Sequence, residues 1–214
     1  MKSGINTFTL KMIAVLAMLI DHIGAVLLPQ YRILRIIGRI AFPIFAYTLV
    51  EGFLHTHDVK KYMMRMGILA LVSEVPFDLV FFGTPLEFGK QNVFFTLFLG
   101  LVMLYLMLKA PTKLRSFLYV LAVLLISEFL KTDYNSMGLL MIFWFYQYRN
   151  SKMIKMVGIA VINVLLMGYI QVYAVLALIP IALHNGERGP KWKGFFYSFY
   201  PVHLLALYYI SMIL

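Results

Sequence analysis

Apolar residues run along this chain in long blocks, separated by short breaks rich in charge, proline or glycine. Taken between those breaks, the blocks lie near residues 9–28, 33–54, 64–82, 92–108, 114–130, 136–148, 153–169, 171–184 and 197–213. Seven of the nine hold at least 17 residues, within the range of about 17–25 that a membrane-spanning helix uses. The pattern predicts an all-α polytopic transmembrane bundle of about nine spans, forming one integral-membrane domain over residues 1–214. The sixth and eighth blocks are short, so one of them is expected to be irregular or re-entrant. No soluble domain, low-complexity linker or internal repeat interrupts the series.

Composition strengthens this reading. The residues are 62% hydrophobic and 13% charged, and the mean hydropathy is +0.86. A soluble domain of 214 residues would fill its core long before using that much apolar surface. The start, Met1 to Lys11, is weakly charged and lacks a small-residue cleavage site, so the first block reads as a helix and not as a signal peptide. There is no cysteine, which excludes disulfides, a thiol nucleophile and cysteine-based metal sites. The net charge of +10 is read as topology, with no nucleic-acid partner. With nine spans, all but five of the 19 basic residues fall on the N-terminal side. The exceptions are Arg32, Arg35, Arg39, Lys90 and Lys131. By the positive-inside rule the N-terminus is cytoplasmic.

Candidate chemistry follows from the ionisable residues placed inside the apolar blocks, each costly in lipid and therefore a candidate for function. MLIDHIGAVL carries Asp21 and His22. Consecutive on a helix, they point about 100° apart and do not form an Asp–His dyad. Asp21 is expected to pair with Arg35 or Arg39, which share a helix face at i,i+4. His22 is then expected to face the bundle interior alone. Glu74 and Asp78 also share a face, around Pro76, and suit a cation site, a proton relay or, preferred here, partners for the arginine stripe. Glu51, Gln91, Asn92, Tyr200 and His203 complete the polar set that we take, with Glu74 and Asp78, as candidates for substrate binding. The remaining histidines, 55, 57 and 184, are expected at cytoplasmic ends facing water or headgroups. No His or Cys spacing suggests a metal site.

Four ordered blocks, MLIDHIGAVL, LRIIGRIAFPIFAYTLVEGF, SEVPFDLVFFG with QNVFFTLFLG, and FYSFYPVHLLAL, resemble the F-type pilin acetylase family (TraX) over nearly the whole chain. The resemblance implies transfer of acetyl to the N-terminal amine of a pilin-like subunit within the membrane. A more distant likeness is to transmembrane acyltransferases of family 3, which place a basic residue, ten intervening residues and then a histidine on the first helix. Lys11 and His22 have that spacing, about 16 Å along a helix axis. It matches a pantetheine arm reaching from a cytoplasmic phosphate group into the bilayer. On this reading acetyl-CoA is the donor, held by Lys11, Lys60, Lys61 and Arg65, and the acceptor is a small peptide or pilin-like N-terminus. His22 is the general base. Asp21 and Arg39 hold its surroundings, and Arg39 steadies the oxyanion. The rival expectations are acetylation of a sugar or lipid hydroxyl, a transporter using Glu51, Glu74 and Asp78 as an ion path, and a non-catalytic assembly factor.

Overall fold

A computed structural model describes residues 3–166 and 168–214. Met1, Lys2 and Met167 lie outside it, and with them one basic residue of the topology argument and one position of the seventh apolar block. Among the described residues the chain is all helix, with two isolated bridges, Ile5 to His184 and Gln91 to Thr132, in place of any sheet.

The helices are α1 (Thr7–Val26), α2 (Arg32–Gly38), α3 (Ala41–His55), α4 (Val59–Phe82), α5 (Val93–Lys109), α6 (Lys113–Phe129), α7 (Asn135–Gln147), α8 (Lys152–Val161), α9 (Leu178–Ala182) and α10 (Lys193–Ile213). Their starts are set by polar side chains at the breaks between apolar blocks. Asn6, Asp58, Asn92, Thr112 and Ser151 each accept a backbone N–H of the first turn that follows, which satisfies a donor that no helical carbonyl reaches. Gly83 ends α4 in a left-handed turn, φ +73°, and its N–H returns to the Leu79 carbonyl at 3.2 Å.

The blocks therefore become helices largely where expected, with two differences. The second block is cut at Arg39–Ile40 into α2 and α3. The sequence marks the place with Gly38 and the charged Arg39, and Pro43, which has no N–H to donate, falls in the first turn of α3. Of the two short blocks the eighth is the irregular one, as expected of one of them, and the difference is that the irregularity reaches back into the end of the seventh. Ile162–Leu166 is a π-turn, and Tyr169–Ala177 winds as a 3-10 helix before α9, whereas the sixth block is the regular α7.

Among the described residues three helices are long and apolar enough to cross a membrane, Thr7–Val26, Arg32–His55 taken through its break, and Lys193–Ile213. Val93–Lys109 and Tyr169–Ala182 are shorter apolar helices. α4 is the longest helix, but Lys60, Lys61, Arg65, Glu74 and Asp78 interrupt its hydropathy. The core is built from α1, α3, α5 and α7, where Leu10, Ile44, Leu101, Leu104, Leu139 and Ile142 are fully buried. α6 turns the other way, with Leu114, Phe117, Leu125 and Phe129 each more than 60% exposed. Such a surface is unfavourable in water and natural against lipid tails.

Candidate functional site

Asp21 and His22 sit near the end of α1, on adjacent faces as helical geometry demands. The Asp21 side chain meets the N-terminal half of the broken second block. Arg35 Nη1 donates to Asp21 Oδ2 at 2.7 Å and to the Asp21 carbonyl at 3.1 Å. Arg39 Nη2 donates to Asp21 Oδ1 at 2.5 Å, and its Nε donates to the Arg35 carbonyl at 3.1 Å. One carboxylate thus holds both arginines. The approach is close because residue 38 is glycine: a Cβ there would overlap the Asp21 side chain.

That arrangement corrects the expectation for Glu74 and Asp78. Neither pairs with an arginine; Arg35 and Arg39 both turn to Asp21 instead. Glu74 Oε2 instead accepts from the backbone and the side-chain amide of Asn92, and Asp78 Oδ2 accepts from the Glu87 backbone at 2.9 Å. Asn92 also donates to the Ala70 carbonyl at 2.8 Å and caps α5. Together these ties fasten α4 to the start of α5. Gln91 is held through its backbone to the Lys131 carbonyl at 3.0 Å.

His22 does not stand alone either. Its Nδ1 lies 2.7 Å from His203 Nε2 on α10. The two ring planes are parallel within 2°, with centroids 5.0 Å apart. So short a nitrogen contact at that centroid separation means the rings lie side by side in one plane, edge to edge. Behind them His203 Nδ1 is 2.7 Å from the Phe199 carbonyl. Phe81 and Tyr200 present their rings edge-on to His22 at 5.6 and 5.9 Å. The partners are 181 positions apart, so no local pattern in the sequence signals the pair.

His22, Asp21, Arg35 and Arg39 open onto a cavity of about 660 Å³, walled by Phe42, Phe45, Phe77, Phe81, Tyr134 and Tyr200 and reached by Lys90, Glu128, Asp133 and Gln171. Of the residues singled out in the sequence, Asp21, His22, Arg39 and Tyr200 line it. Glu51, Glu74, Asp78, Gln91, Asn92 and His203 do not. Several lining groups were missed: Asp133 and Tyr134 lie in a connection outside the apolar blocks, whereas Glu128, inside the 114–130 block, and Gln171, inside the 171–184 block, were legible by the same rule as Glu74. Asp133 pairs with Lys90 at 2.7 Å, and Tyr134 stacks on Phe42 with centroids 3.6 Å apart. A break as polar as KTDYNS, set between two membrane blocks, was the available signal. Among the described residues no group of three or more His, Asp or Glu side chains converges as for a metal.

The other end of α1 is basic and aromatic. The loop before α10 folds over it, with Thr7 and Phe8 N–H groups donating to the Glu187 and Arg188 carbonyls at 2.8 and 3.1 Å. Lys11 Nζ lies 5.6 Å from the centre of the Phe196 ring, within electrostatic range of Arg188 and Lys193. Lys60, Lys61 and Arg65 are exposed on the first turns of α4, Lys61 beside Asp58 at 3.4 Å. His184 is not a free surface group as expected. It bridges Thr7 Oγ1 at 3.0 Å and the Tyr47 hydroxyl at 2.9 Å, one helical turn from Glu51.

Residues 7–211 match the family model described as TraX protein. The chain is 30% identical, over 98% of its length and 97% of the relative's, to the "Probable fimbrial assembly protein FimC, serogroup H1" of Dichelobacter nodosus. It is 35% identical to an uncharacterised protein of Rickettsia prowazekii over 45% of this chain and 35% of that one. No solved structure matches. The match over residues 7–211, nearly the whole chain, makes this protein a member of the TraX family.

Proposed function

We propose that this protein is a membrane-embedded acetyltransferase that moves acetyl from cytoplasmic acetyl-CoA to an amine, the N-terminus of a peptide or pilin-like acceptor. The fimbrial name of the Dichelobacter relative supports the acceptor class. The observation that carries the reaction is His22. It is an imidazole on the wall of a cavity, braced from behind by a second imidazole and flanked by a carboxylate–guanidinium cluster.

A thioester carbonyl presented at His22 is attacked by the acceptor nitrogen, and His22 takes the proton that the nitrogen must lose. The C–N bond forms, the C–S bond breaks, and the thiolate recovers that proton as coenzyme A leaves. Arg39 has donors beyond those given to Asp21 and the Arg35 carbonyl, and these steady the oxyanion of the tetrahedral intermediate. The aromatic walls exclude water, which would otherwise compete as acceptor. Donor phosphates rest on Lys11, Arg188 and Lys193, with Lys60, Lys61 and Arg65 as further basic residues on that face. About 16 Å of α1 separates Lys11 from His22, the reach of an extended pantetheine arm. In this reading the N-terminus is cytoplasmic, the nine helical blocks all span, and the cavity faces outward.

The test is purified protein with labelled acetyl-CoA and short peptides bearing a free or a blocked N-terminus. Label should enter only the free-amine peptides, and His22→Gln should lower the rate at least about 100-fold while leaving detergent stability near wild type. A well-folded His22→Gln protein with wild-type turnover would defeat the mechanism. Label on a sugar or lipid headgroup instead would move the acceptor to a hydroxyl.

A further inference from the structure

The contact between His22 and His203 has a consequence for which nitrogen of His22 is free. The Phe199 carbonyl, 2.7 Å from His203 Nδ1, can only accept. His203 Nδ1 must therefore carry a hydrogen. A neutral His203 then has a bare Nε2, which can only accept in turn. The atom facing it at 2.7 Å, His22 Nδ1, must be the donor. That leaves the lone pair of His22 on Nε2, the nitrogen directed away from α10.

Both rings are neutral in this scheme, which suits their surroundings. Among the described residues no carboxylate is hydrogen-bonded to either ring, and both oxygens of the adjacent Asp21 are given to Arg35 and Arg39. A cationic imidazole in an aromatic cavity beside two guanidinium groups would lack compensation. The edge-to-edge, coplanar arrangement also fixes the His22 ring in rotation, because turning it would break the short contact. Phe199 packs against His203 at 4.7 Å with an 18° tilt, so the second ring is itself held.

From these contacts we infer that His203 is the positioning residue of the reaction: it fixes His22 in the tautomer with Nδ1 protonated and Nε2 bare. The inference rests on the acetyltransferase reading for its catalytic meaning. His22 Nε2 takes the acceptor proton, and the new imidazolium keeps its Nδ1–H directed at His203 Nε2, which spreads the charge without a buried carboxylate. The proton then passes from Nε2 to the departing thiolate and His22 returns to its starting tautomer. No other reactant is consumed. His203 stands where a serine-hydrolase triad has its aspartate, but it orients the base as a neutral acceptor.

Nitrogen NMR of protein labelled in its histidines reads this directly, with signals assigned by difference against His22→Gln and His203→Gln. The expected spectrum has a protonated Nδ1 and a bare Nε2 on His22, whether or not acetyl transfer has been detected. A protonated Nε2 on His22 overturns the inference. Kinetics supply the second arm. His203→Met removes the acceptor and should lower kcat at least about tenfold, with little change in the KM for acetyl-CoA. His203→Gln can accept from His22 and donate to the Phe199 carbonyl, and should recover most of that loss. Equal activity of both variants with wild type, or equal loss in both when both are folded, overturns the positioning role. A correct tautomer in a protein that acetylates nothing leaves the ring arrangement standing and defeats only the reaction assigned to it.

Discussion

Asp21 holds two guanidinium groups, and this changes what each substitution should do. The cluster of Asp21, Arg35 and Arg39 carries one net positive charge. Asp21→Asn leaves two like charges facing each other, whereas Arg39→Leu leaves a neutral pair at 2.7 Å between Asp21 and Arg35. Removing one partner of a buried ion pair costs about 3–5 kcal/mol, with the survivor left unpaired as the main cause. Asp21→Asn should approach that loss, and Arg39→Leu should fall well below it while slowing acetyl transfer if Arg39 also steadies the oxyanion. Thermal unfolding in detergent beside turnover checks both; a protein more damaged by Arg39→Leu than by Asp21→Asn would contradict this charge balance. The pairing was legible in the sequence because Asp21 and the arginines belong to consecutive apolar blocks with a short connection between them. The assignment of Glu74 and Asp78 was not, since their partners, Asn92 and the Glu87 amide, are set by how the 83–92 connection folds back. Nor was the His22–His203 pair, which exists only once the first and last helices meet.

The packing of α1 on α2 depends on glycine at two crossings. A Cβ at Gly24 would sit 2.6 Å from the Leu34 Cβ, and one at Gly38 would overlap the Asp21 carboxyl group. Glycine at helix crossings lets backbones approach closely, a main source of attraction where lipid removes the hydrophobic drive. Gly38→Ala must therefore push α2 outward and draw both arginines from Asp21. Loss of activity together with a fall in stability of about 1–3 kcal/mol is expected, the range for overpacking. Gly194→Ala is the matched control, since nothing lies within 4 Å of its added methyl and alanine favours helix over glycine by up to about 1 kcal/mol. It should be neutral or slightly stabilising. Equal thermal stability of the two variants would show that the crossing is looser than its geometry indicates. Hydropathy could place the helices but not this crossing, because glycine reads alike whether it faces a neighbour or lipid. The 3-10 segment Tyr169–Ala177 was signalled by the shortness of the eighth block and not by hydropathy, since its residues are apolar like the helices around it.

Along the whole molecule, the proposed reaction needs two substrates to arrive from opposite ends of α1. The basic end has Lys11 with Arg188 and Lys193, brought together because the loop before α10 caps the first turn of α1. The cavity end has His22 and the connections that carry Lys90 and Asp133. Apolar side chains of α1, α3 and α5 fill the space between, so the donor must thread from one side while the acceptor stays on the other. Sealed proteoliposomes separate the two requirements. Acetyl-CoA supplied on the basic side, with peptide on the cavity side, should give product, and the reversed placement should give none. Lys11→Gln, Arg188→Gln and Lys193→Gln should each weaken acetyl-CoA binding without altering the His22 nitrogen spectrum. Binding should also weaken as salt rises from about 0.05 to 0.5 M, because screening shortens the reach of exposed charges below about 10 Å. A donor that binds equally well in high salt, or product formed with both substrates on the cavity side alone, would mean that acetyl-CoA enters where the acceptor does. The basic end would then serve only to orient the chain in the bilayer.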